Sequence, residues 1–425
     1  MDNIEGLAAS NQSIMKRIKD ILLCCLVASA PFFASCDGDD KEDAVILTVT
    51  TTASAGTDYN GLTMQLGTET DFTTPIANGT INADGKVDIA IDITPYIGKT
   101  LWFCMPGVAK FFHTLTAEEA AASAIVLPDK ENGCTLDATG IGNDWQVAIY
   151  MGVNKEGKAS ETPIYWATGN IIGTKTNTAN SGLTQATYHL ASKEESVEEG
   201  TAESTRYLSL EEGLISNAPD CFEAMPIGSQ WDLYSFGDAT GLMRYMDMEN
   251  EQYIYVTKQK DGDNIVYNTT GDARYDVCTA QLGKTWRIPT CRLTGDNEWA
   301  AFMDHSFPDI LPDSEQWTND KSENLGRKYS YEVNINGRHV TTNTLYLPAG
   351  GYVHAALEGG GRGKMCWYWG SIADPTGTPP FSPRGPYPAP VDETTTAFNY
   401  GFFKGKAEAF PHPRWSCMSV RPVCD

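Results

Sequence analysis

Eight cysteines that follow Cys36 are the residues of this chain best suited to covalent or metal chemistry. They are Cys104, Cys134, Cys221, Cys278, Cys291, Cys366, Cys417 and Cys424. None belongs to a Cys-x-x-Cys pair and the histidines are dispersed along the chain, so we expect no metal site. An even number favours disulfides in an exported chain, with 105 connectivities left open. Cys104 and Cys134 lie alone in the first half and are the simplest pair.

Aromatic residues around Trp367 could instead bind a ligand through their ring faces. Trp367 and Trp369 flank a tyrosine, and the proline-rich stretch Asp374–Pro390 follows them with Arg384 and Tyr387. Aromatic faces stack on sugar rings, and prolines limit the entropy that a loop loses on binding. We expect Trp369 to be a core residue. Trp367, Arg384 and Tyr387 are the candidate ligand-binding residues.

Carboxylates in the second half do not form a catalytic pattern. Glu298 and Asp304 are interpreted as the solvated face of a helix, and no Ser-His-Asp order or carboxylate pair stands out. Gln316–Asp320 carries oxygen ligands, but too few for calcium, and a polar turn is favoured. We therefore expect no catalytic residue and no cofactor.

The elements expected in the first half are strands. Residues 44–155 contain β-branched and aromatic runs at Ala44–Thr50, Thr100–Cys104 and Trp145–Tyr150, and an Asp-Gly turn within Ile81–Ile89. A helix is predicted over Thr116–Ile125, where a threonine precedes two glutamates and an alanine run. This pattern predicts a β-sandwich domain over 44–155.

Residues 160–425 are predicted to form a second domain, after a polar boundary at Lys155–Glu161. In it a helix over Arg274–Leu282 is followed by a strand at Trp286–Pro289. Asp296 is expected to cap a second helix with Trp299, Ala300 and Phe302 facing inward. Further strands are predicted at Leu345–Leu347 and Met418–Val423, the latter closing the sheet near Trp286–Pro289. The predicted class is mainly β with some α (α+β).

The net charge of the chain limits the classes of molecule that it is expected to bind. The 425-residue chain carries a formal charge of −24 and a calculated pI of about 4.6. Such an acidic protein is a poor direct partner for nucleic acid or for an anionic membrane surface.

The amino-terminal stretch has the order of a secretory signal, spanning residues 1–35 with a functional start at Met15. Basic residues follow Met15, Ile21–Phe33 is apolar but too short to span a bilayer, and small residues precede Cys36. Phe33–Cys36 resembles a bacterial lipobox, which implies lipidation of Cys36 and an outer-membrane lipid anchor. The alternative is ordinary signal cleavage after Ala34 or Ser35, with Cys36 as a disulfide partner.

A charged tether follows at residues 36–43. Asp37–Asp43 cannot bury itself and is expected to be flexible. An acidic run after a lipidated cysteine resembles the surface-export signal of Bacteroidota lipoproteins, which implies a position facing the cell exterior. The alternative is a solvated linker that carries no export signal.

Ordered segments of the second half resemble one known family. They are Ile164–Ile172, Trp231–Asp238, Leu282–Phe302, Leu345–Tyr352, Tyr368–Ser371 and Met418–Cys424. Together they resemble the C-type-lectin-like domain of the Fibrobacter succinogenes major paralogous type, which is related in fold to sulfatase-modifying factor proteins. In this chain an insertion containing Cys291 separates Pro289-Thr290 from Glu298-Trp299. The resemblance implies a fold that displays a binding surface.

The first half is loosely similar to the sandwich of fimbrillin-type proteins. Repeating fimbrial subunits of that type are cut after an arginine in this domain, but no arginine occurs between Arg17 and Arg206. A repeating stalk subunit is therefore disfavoured, and a terminal or accessory subunit stays open.

These observations predict a non-enzymatic, lipid-anchored surface protein that binds a glycan or a protein of a host or neighbouring cell. A fimbrial accessory or tip subunit is the first alternative. The second is an enzyme like the sulfatase-modifying factors, with Cys417 and Cys424 as its reactive pair. It is disfavoured because cysteines of exported proteins are more often structural.

Overall fold

The structure is a computed structural model, and it describes part of the chain. The described residues are 45–68, 74–130, 145–177, 184–191, 227–228, 230–241, 260–261, 264–305, 307–308, 326–348, 350–353, 359–360, 366–373, 396–403, 406–414 and 416–425. Val45–Asp425 forms one compact unit. Among the described residues, no helix has the length and apolar character needed to cross a membrane.

The described residues are mainly β, as the sequence predicts. The strands are β1 Ile46–Thr50, β2 Thr63–Thr68, β3 Ala77–Thr80, β4 Lys86–Ala90, β5 Thr100–Met105, β6 Ala109–Thr114, β7 Ala124–Val126, β8 Trp145–Asn154, β9 Pro163–Ala167, β10 Ile171–Lys175, β11 Ala186–Leu190, β12 Gln230–Trp231, β13 Leu233–Ser235, β14 Lys260–Asp261, β15 Asn264–Ile265, β16 Phe307–Pro308, β17 Gly326–Ile335, β18 Arg338–Pro348, β19 Tyr352–Val353, β20 Gly359–Gly360, β21 Cys366–Ala373, β22 Thr396–Phe403, β23 Lys406–Pro413, β24 Cys417–Ser419 and β25 Val423–Cys424. The helices are α1 Ala117–Ala122, α2 Val277–Leu282 and α3 Glu298–His305, and 3-10 turns lie at Thr94–Tyr96 and Lys155–Gly157.

The first sheet has the strand order β4-β1-β7, and alternate residues along its strands are apolar and buried. Leu47 and Val49 on β1 are fully buried and lie opposite Ile89 and Val87 of β4. The Asp-Gly turn precedes β4, but it does not close a hairpin, because β3 pairs with β2 and β4 pairs with β1. The chain therefore passes from one sheet to another at Gly85.

A seven-stranded sheet has the order β25-β9-β8-β6-β5-β2-β3. Its strands come from both predicted domains: β8 ends at Asn154, which lies opposite Pro163 of β9, and β9 pairs with β25. The polar segment Lys155–Glu161 thus joins two neighbouring antiparallel strands. The hydrophobic core is also shared, since Leu47 and Leu345 belong to one buried cluster.

A second large sheet, in the order β20-β19-β24-β21-β22-β23 with β13 on β24, brings the last part of the chain together. Helix α3 packs between this sheet and β9. The Trp299 ring centroid lies 4.8 Å from that of Trp166 on β9 and 5.8 Å from that of Tyr400 on β22. Trp299 and Phe302 are fully buried, which confirms their predicted inward orientation, whereas Ala300 is half-buried.

Capping side chains fix where the helices begin. Thr116 and Glu119 form the predicted capping box at α1. Asp276 caps α2, so that helix begins three residues later than predicted. At α3 the prediction of Asp296 as the cap is wrong: the Asn297 side chain accepts the Ala300 N–H at 3.0 Å, the geometry of a residue directly before the helix.

The segment Trp286–Pro289, between α2 and α3, contacts the last segment of the chain. A strand is predicted at Trp286–Pro289, but with the described residues this segment forms a single bridge, from Arg287 to Val423. That bridge nevertheless confirms that the last segment of the chain closes against Trp286–Pro289.

Candidate functional site

A buried ion pair lies at the start of α3. Arg287 donates from Nη1 and Nη2 to the two Oε atoms of Glu298, both at 2.8 Å. Their side chains are 8% and 1% exposed. The interpretation of Glu298 as a solvated residue is therefore wrong, because the arginine eleven residues earlier neutralises its charge inside the protein.

Asp425 and Lys155 extend the pair toward solvent. Arg287 donates from Nε and Nη2 to Asp425 Oδ1, at 3.1 and 2.7 Å. Lys155 Nζ lies 2.5 Å from the other carboxylate oxygen of Asp425. Burial alone would lower the pKa of Arg287, but Glu298 and Asp425 outweigh it and raise that pKa. Burial likewise would raise the pKa of Asp425, whereas Arg287 and Lys155 hold it below its usual range.

The loop from Thr290 to Glu298 is closed by reciprocal hydrogen bonds. Thr290 N donates to Glu298 Oε2 at 2.8 Å, and Glu298 N donates to Thr290 Oγ1 at 3.0 Å. The Asn297 amide donates to the carbonyls of Arg292 and Gly295, at 3.4 and 3.1 Å. This network holds the exposed side chains of Arg292 and Asp296 beside the ion pair.

The turn Lys155–Gly157 packs directly on this loop. Glu156 N donates to Glu298 Oε1 at 2.9 Å. Gly157 has φ +72°, and a Cβ there would lie 2.4 Å from the Asn297 carbonyl oxygen. Only glycine accommodates both the left-handed backbone and this close approach.

Between the turn and the loop is a cavity of about 210 Å³. The residues that line it are Lys155, Glu156, Lys158, Asn268, Thr270, Arg287, Thr290, Arg292, Asp296, Glu298 and Ile372. The exposed pair Glu156 and Lys158 is in contact, and each stabilises the charge of the other: Lys158 lowers the pKa of Glu156, and Glu156 raises that of Lys158. We call this space the polar cavity.

Trp367, predicted to bind a ligand, is 5% exposed. Its ring stacks on Tyr352 at a centroid distance of 4.2 Å and contacts the ring of His412 at 4.7 Å. Trp369 is fully buried, as predicted. The Trp367 ring is thus a packing element, and it is not among the residues of the polar cavity. Arg384, Tyr387 and Cys36 lie outside the described residues.

The described cysteines are buried. Cys104, Cys278, Cys291 and Cys424 are thiols in the structure. Burial raises the pKa of Cys424 to about 12, and it also raises the pKa of the Cys291 thiol. Cys417 is also buried, with its sulfur 3.3 Å from Ser235 Oγ. Cys134, Cys221 and the Cys366 side chain lie outside the described part of the chain, so disulfide pairing stays a prediction.

Sequence reasoning missed the polar cavity. The sequence pattern places Lys155 and Lys158 in a polar boundary between domains and Arg287 in a strand, and neither position indicates a cavity. A signal was nevertheless present in the glycine of Lys-Glu-Gly-Lys, which indicates a tight turn between two β-rich segments. Among the described residues, no group of three or more histidine, cysteine, aspartate or glutamate side chains could hold a metal ion.

Comparisons with known proteins found no relative of this chain. No family model, no curated protein and no solved structure matches this chain. Inference about its function therefore depends on the residues and contacts of the chain itself.

Proposed function

We propose that this protein is a non-enzymatic lipoprotein of the outer membrane that is displayed on the cell surface and binds a glycan or a protein of another cell. The observation that carries the proposal is the order of the first segments: basic residues, the apolar run Ile21–Phe33, small residues, Cys36 and then Asp37–Asp43. Lipid on Cys36 would anchor the chain, and the acidic tether would hold the folded unit away from the membrane.

The proposal includes the finer architecture, a β-sandwich followed by a C-type-lectin-like domain. The β-rich fold with α3 packed between sheets is compatible with it. The sheet and core shared by strands before and after residue 155 mean that the two parts would act as one rigid body in presenting a surface.

Two features of the described residues favour binding over catalysis. Arg287 and Glu298 hold each other in a bidentate pair, so neither is poised to exchange a proton with a substrate. The pKa of Cys424, raised by burial to about 12, leaves its sulfur protonated at neutral pH, whereas a reactive cysteine needs the thiolate.

Metabolic labelling with an alkyne-bearing palmitate tests the anchor. We expect the wild-type protein to take up the label and Cys36→Ala to lose it. Cys25→Ala, which changes a cysteine within the apolar run, should be labelled like the wild type. An unlabelled wild-type protein would support ordinary signal cleavage and contradict the anchor.

A fimbrial accessory or tip subunit is the second candidate. The absence of arginine between Arg17 and Arg206 removes the cleavage site expected of a repeating subunit but leaves a terminal position open. Co-purification with sheared pilus fibres at a low ratio to the main subunit would support this candidate.

A further inference from the structure

Two hydrogen-bond donors in the deeper part of the polar cavity have no acceptor among the described residues. A guanidinium has five N–H groups, and four hydrogen bonds from Arg287 go to Glu298 and Asp425. The second N–H of Nη1 has no acceptor among the described residues. The hydroxyl hydrogen of Thr290 is in the same situation, because Thr290 Oγ1 is itself an acceptor for Glu298 N.

The carboxylate of Glu298, in contrast, already accepts hydrogen bonds at both of its oxygens. Glu298 accepts hydrogen bonds from Glu156 N, Thr290 N and both Nη atoms of Arg287. Asn268 Oδ1 accepts the Thr270 N–H at 3.0 Å, which leaves the amide N–H groups of Asn268 for a ligand. A ligand in this cavity would therefore supply acceptor oxygens.

The charged residues of the cavity include cations that an anionic group could reach from the mouth. Four cations line the cavity (Lys155, Lys158, Arg287 and Arg292), and they are balanced in number by three lining carboxylates (Glu156, Asp296 and Glu298) and by Asp425, which pairs with Arg287 and Lys155. Arg292 is exposed and forms no hydrogen bond through its side chain with the part of the chain that the structure describes.

The size of the cavity limits the ligand. About 210 Å³ is below the roughly 300–1,000 Å³ of sites that enclose drug-sized molecules. One sugar ring with its substituent fits that limit, and Ile372 supplies an apolar patch for the ring carbons.

We infer that the polar cavity binds the anionic group, carboxylate or sulfate, of one sugar residue in an acidic glycan. In this arrangement Arg292 and Lys158 contact the anionic oxygens at the mouth. Arg287 Nη1, Thr290 and Asn268 donate to oxygens deeper in the cavity. This inference rests on the proposed function, since it names the ligand class and the site for glycan binding.

Saturation-transfer NMR with the purified full-length protein tests the inference. The probes are glucuronic acid against glucose for the carboxylate, and galactose 6-sulfate against galactose for the sulfate. We expect one or both acidic sugars to bind and their neutral counterparts not to bind. Lys158→Ala combined with Arg292→Ala should weaken binding at least tenfold, whereas Arg338→Ala, an exposed arginine paired with Asp58, should leave it unchanged.

The remaining outcomes all contradict the inference, and each identifies a different reason for its failure. Equal binding of neutral and acidic sugars, or unchanged binding by the double variant, would reject this site while leaving glycan binding intact. Competition by inorganic sulfate at the same concentration as the sugar would indicate a simple anion site. If the wild-type protein binds none of the sugars, the inference fails, while palmitate labelling still decides separately whether the protein is anchored.

Discussion

Arg287 and Glu298 form a two-point ion pair, with both nitrogen-to-oxygen distances at 2.8 Å, and the pair connects three separate parts of the chain. Glu298 begins helix α3, Arg287 bridges to Val423 near the last strand, and Glu156 N donates to the same carboxylate. The 3-10 turn, the helix and the final strand therefore depend on one buried charge pair. The polar cavity lies directly above it.

Removing one charge of the pair should destabilise the fold. We expect Glu298→Gln to lower the free energy of unfolding by about 3–5 kcal/mol, because Arg287 is left buried with only part of its compensation. Urea denaturation followed by tryptophan fluorescence measures the change. Asp304→Asn, on the exposed side of the same helix, should change the value by less than about 0.5 kcal/mol. Equal effects of the two substitutions would contradict the buried pair.

Gly157→Ala should be more harmful than Gly295→Ala, although both residues have positive φ. A Cβ at Gly157 meets the Asn297 carbonyl oxygen at 2.4 Å, whereas a Cβ at Gly295 meets nothing within 4 Å. Left-handed backbone alone costs alanine about 1–2 kcal/mol, which is the loss expected for Gly295→Ala. Thermal and urea unfolding should show a clearly larger loss for Gly157→Ala, and similar losses would mean that the turn does not pack on the loop as described.

Asp276 should make stability depend on pH. This carboxylate is fully buried and accepts four backbone N–H groups, from Gly271, Cys278, Thr279 and Ile288. Burial raises the pKa of Asp276 from 3.8 to about 6, so the folded state favours the protonated form. Its contribution to stability is therefore complete below pH 3.8 and is lost as the pH rises to about 6, a change on the order of 3 kcal/mol.

Comparison of the wild-type protein with Asp276→Asn isolates that contribution, since asparagine does not titrate. The difference in free energy of unfolding between the two proteins should shift in favour of the variant between pH 3.5 and pH 7. The variant should nevertheless be less stable overall, because its amide cannot accept from two of the N–H donors. A difference that is constant across this range would contradict the raised pKa of Asp276.

Buried thiols should be protected from alkylation. We expect Cys291 and Cys424 to react with iodoacetamide only after denaturation, because both are fully buried and burial raises the pKa of each. Peptide mapping by mass spectrometry without reduction checks this. Rapid labelling in the folded protein would contradict the burial of these thiols, and labelling only after both denaturation and reduction would show that the cysteines are paired as disulfides.

Local signals predicted much of the fold. The capping box of Thr116 and Glu119 and the alternation of Leu345 and Leu347 are each contained in a few neighbouring residues, and the structure confirms them. The inward position of Trp299 follows equally from its apolar character. Such features depend on periodicity and local hydrogen bonding, which a single sequence displays.

Contacts between residues that are far apart in the sequence could not be predicted from local patterns. A glutamate on a helix is normally exposed, so the sequence alone predicts a solvated Glu298, and only folding brings Arg287 and the Glu156 N–H to it. Polar, glycine-containing segments usually connect domains, so the sequence alone places Lys155 and Lys158 at a domain boundary. Their place at the cavity depends on the pairing of β8 with β9, which their own composition does not specify.

Protease shaving of intact cells tests whether the protein is displayed on the cell surface. Cells that express the wild-type protein or Cys36→Ala are treated with protease, and fragments from residues 160–425 are detected by mass spectrometry. We expect fragments to be released from wild-type cells, and we expect Cys36→Ala to lose its attachment to the cell. Complete protection of the wild-type protein on intact cells, with digestion only after lysis, would contradict surface display.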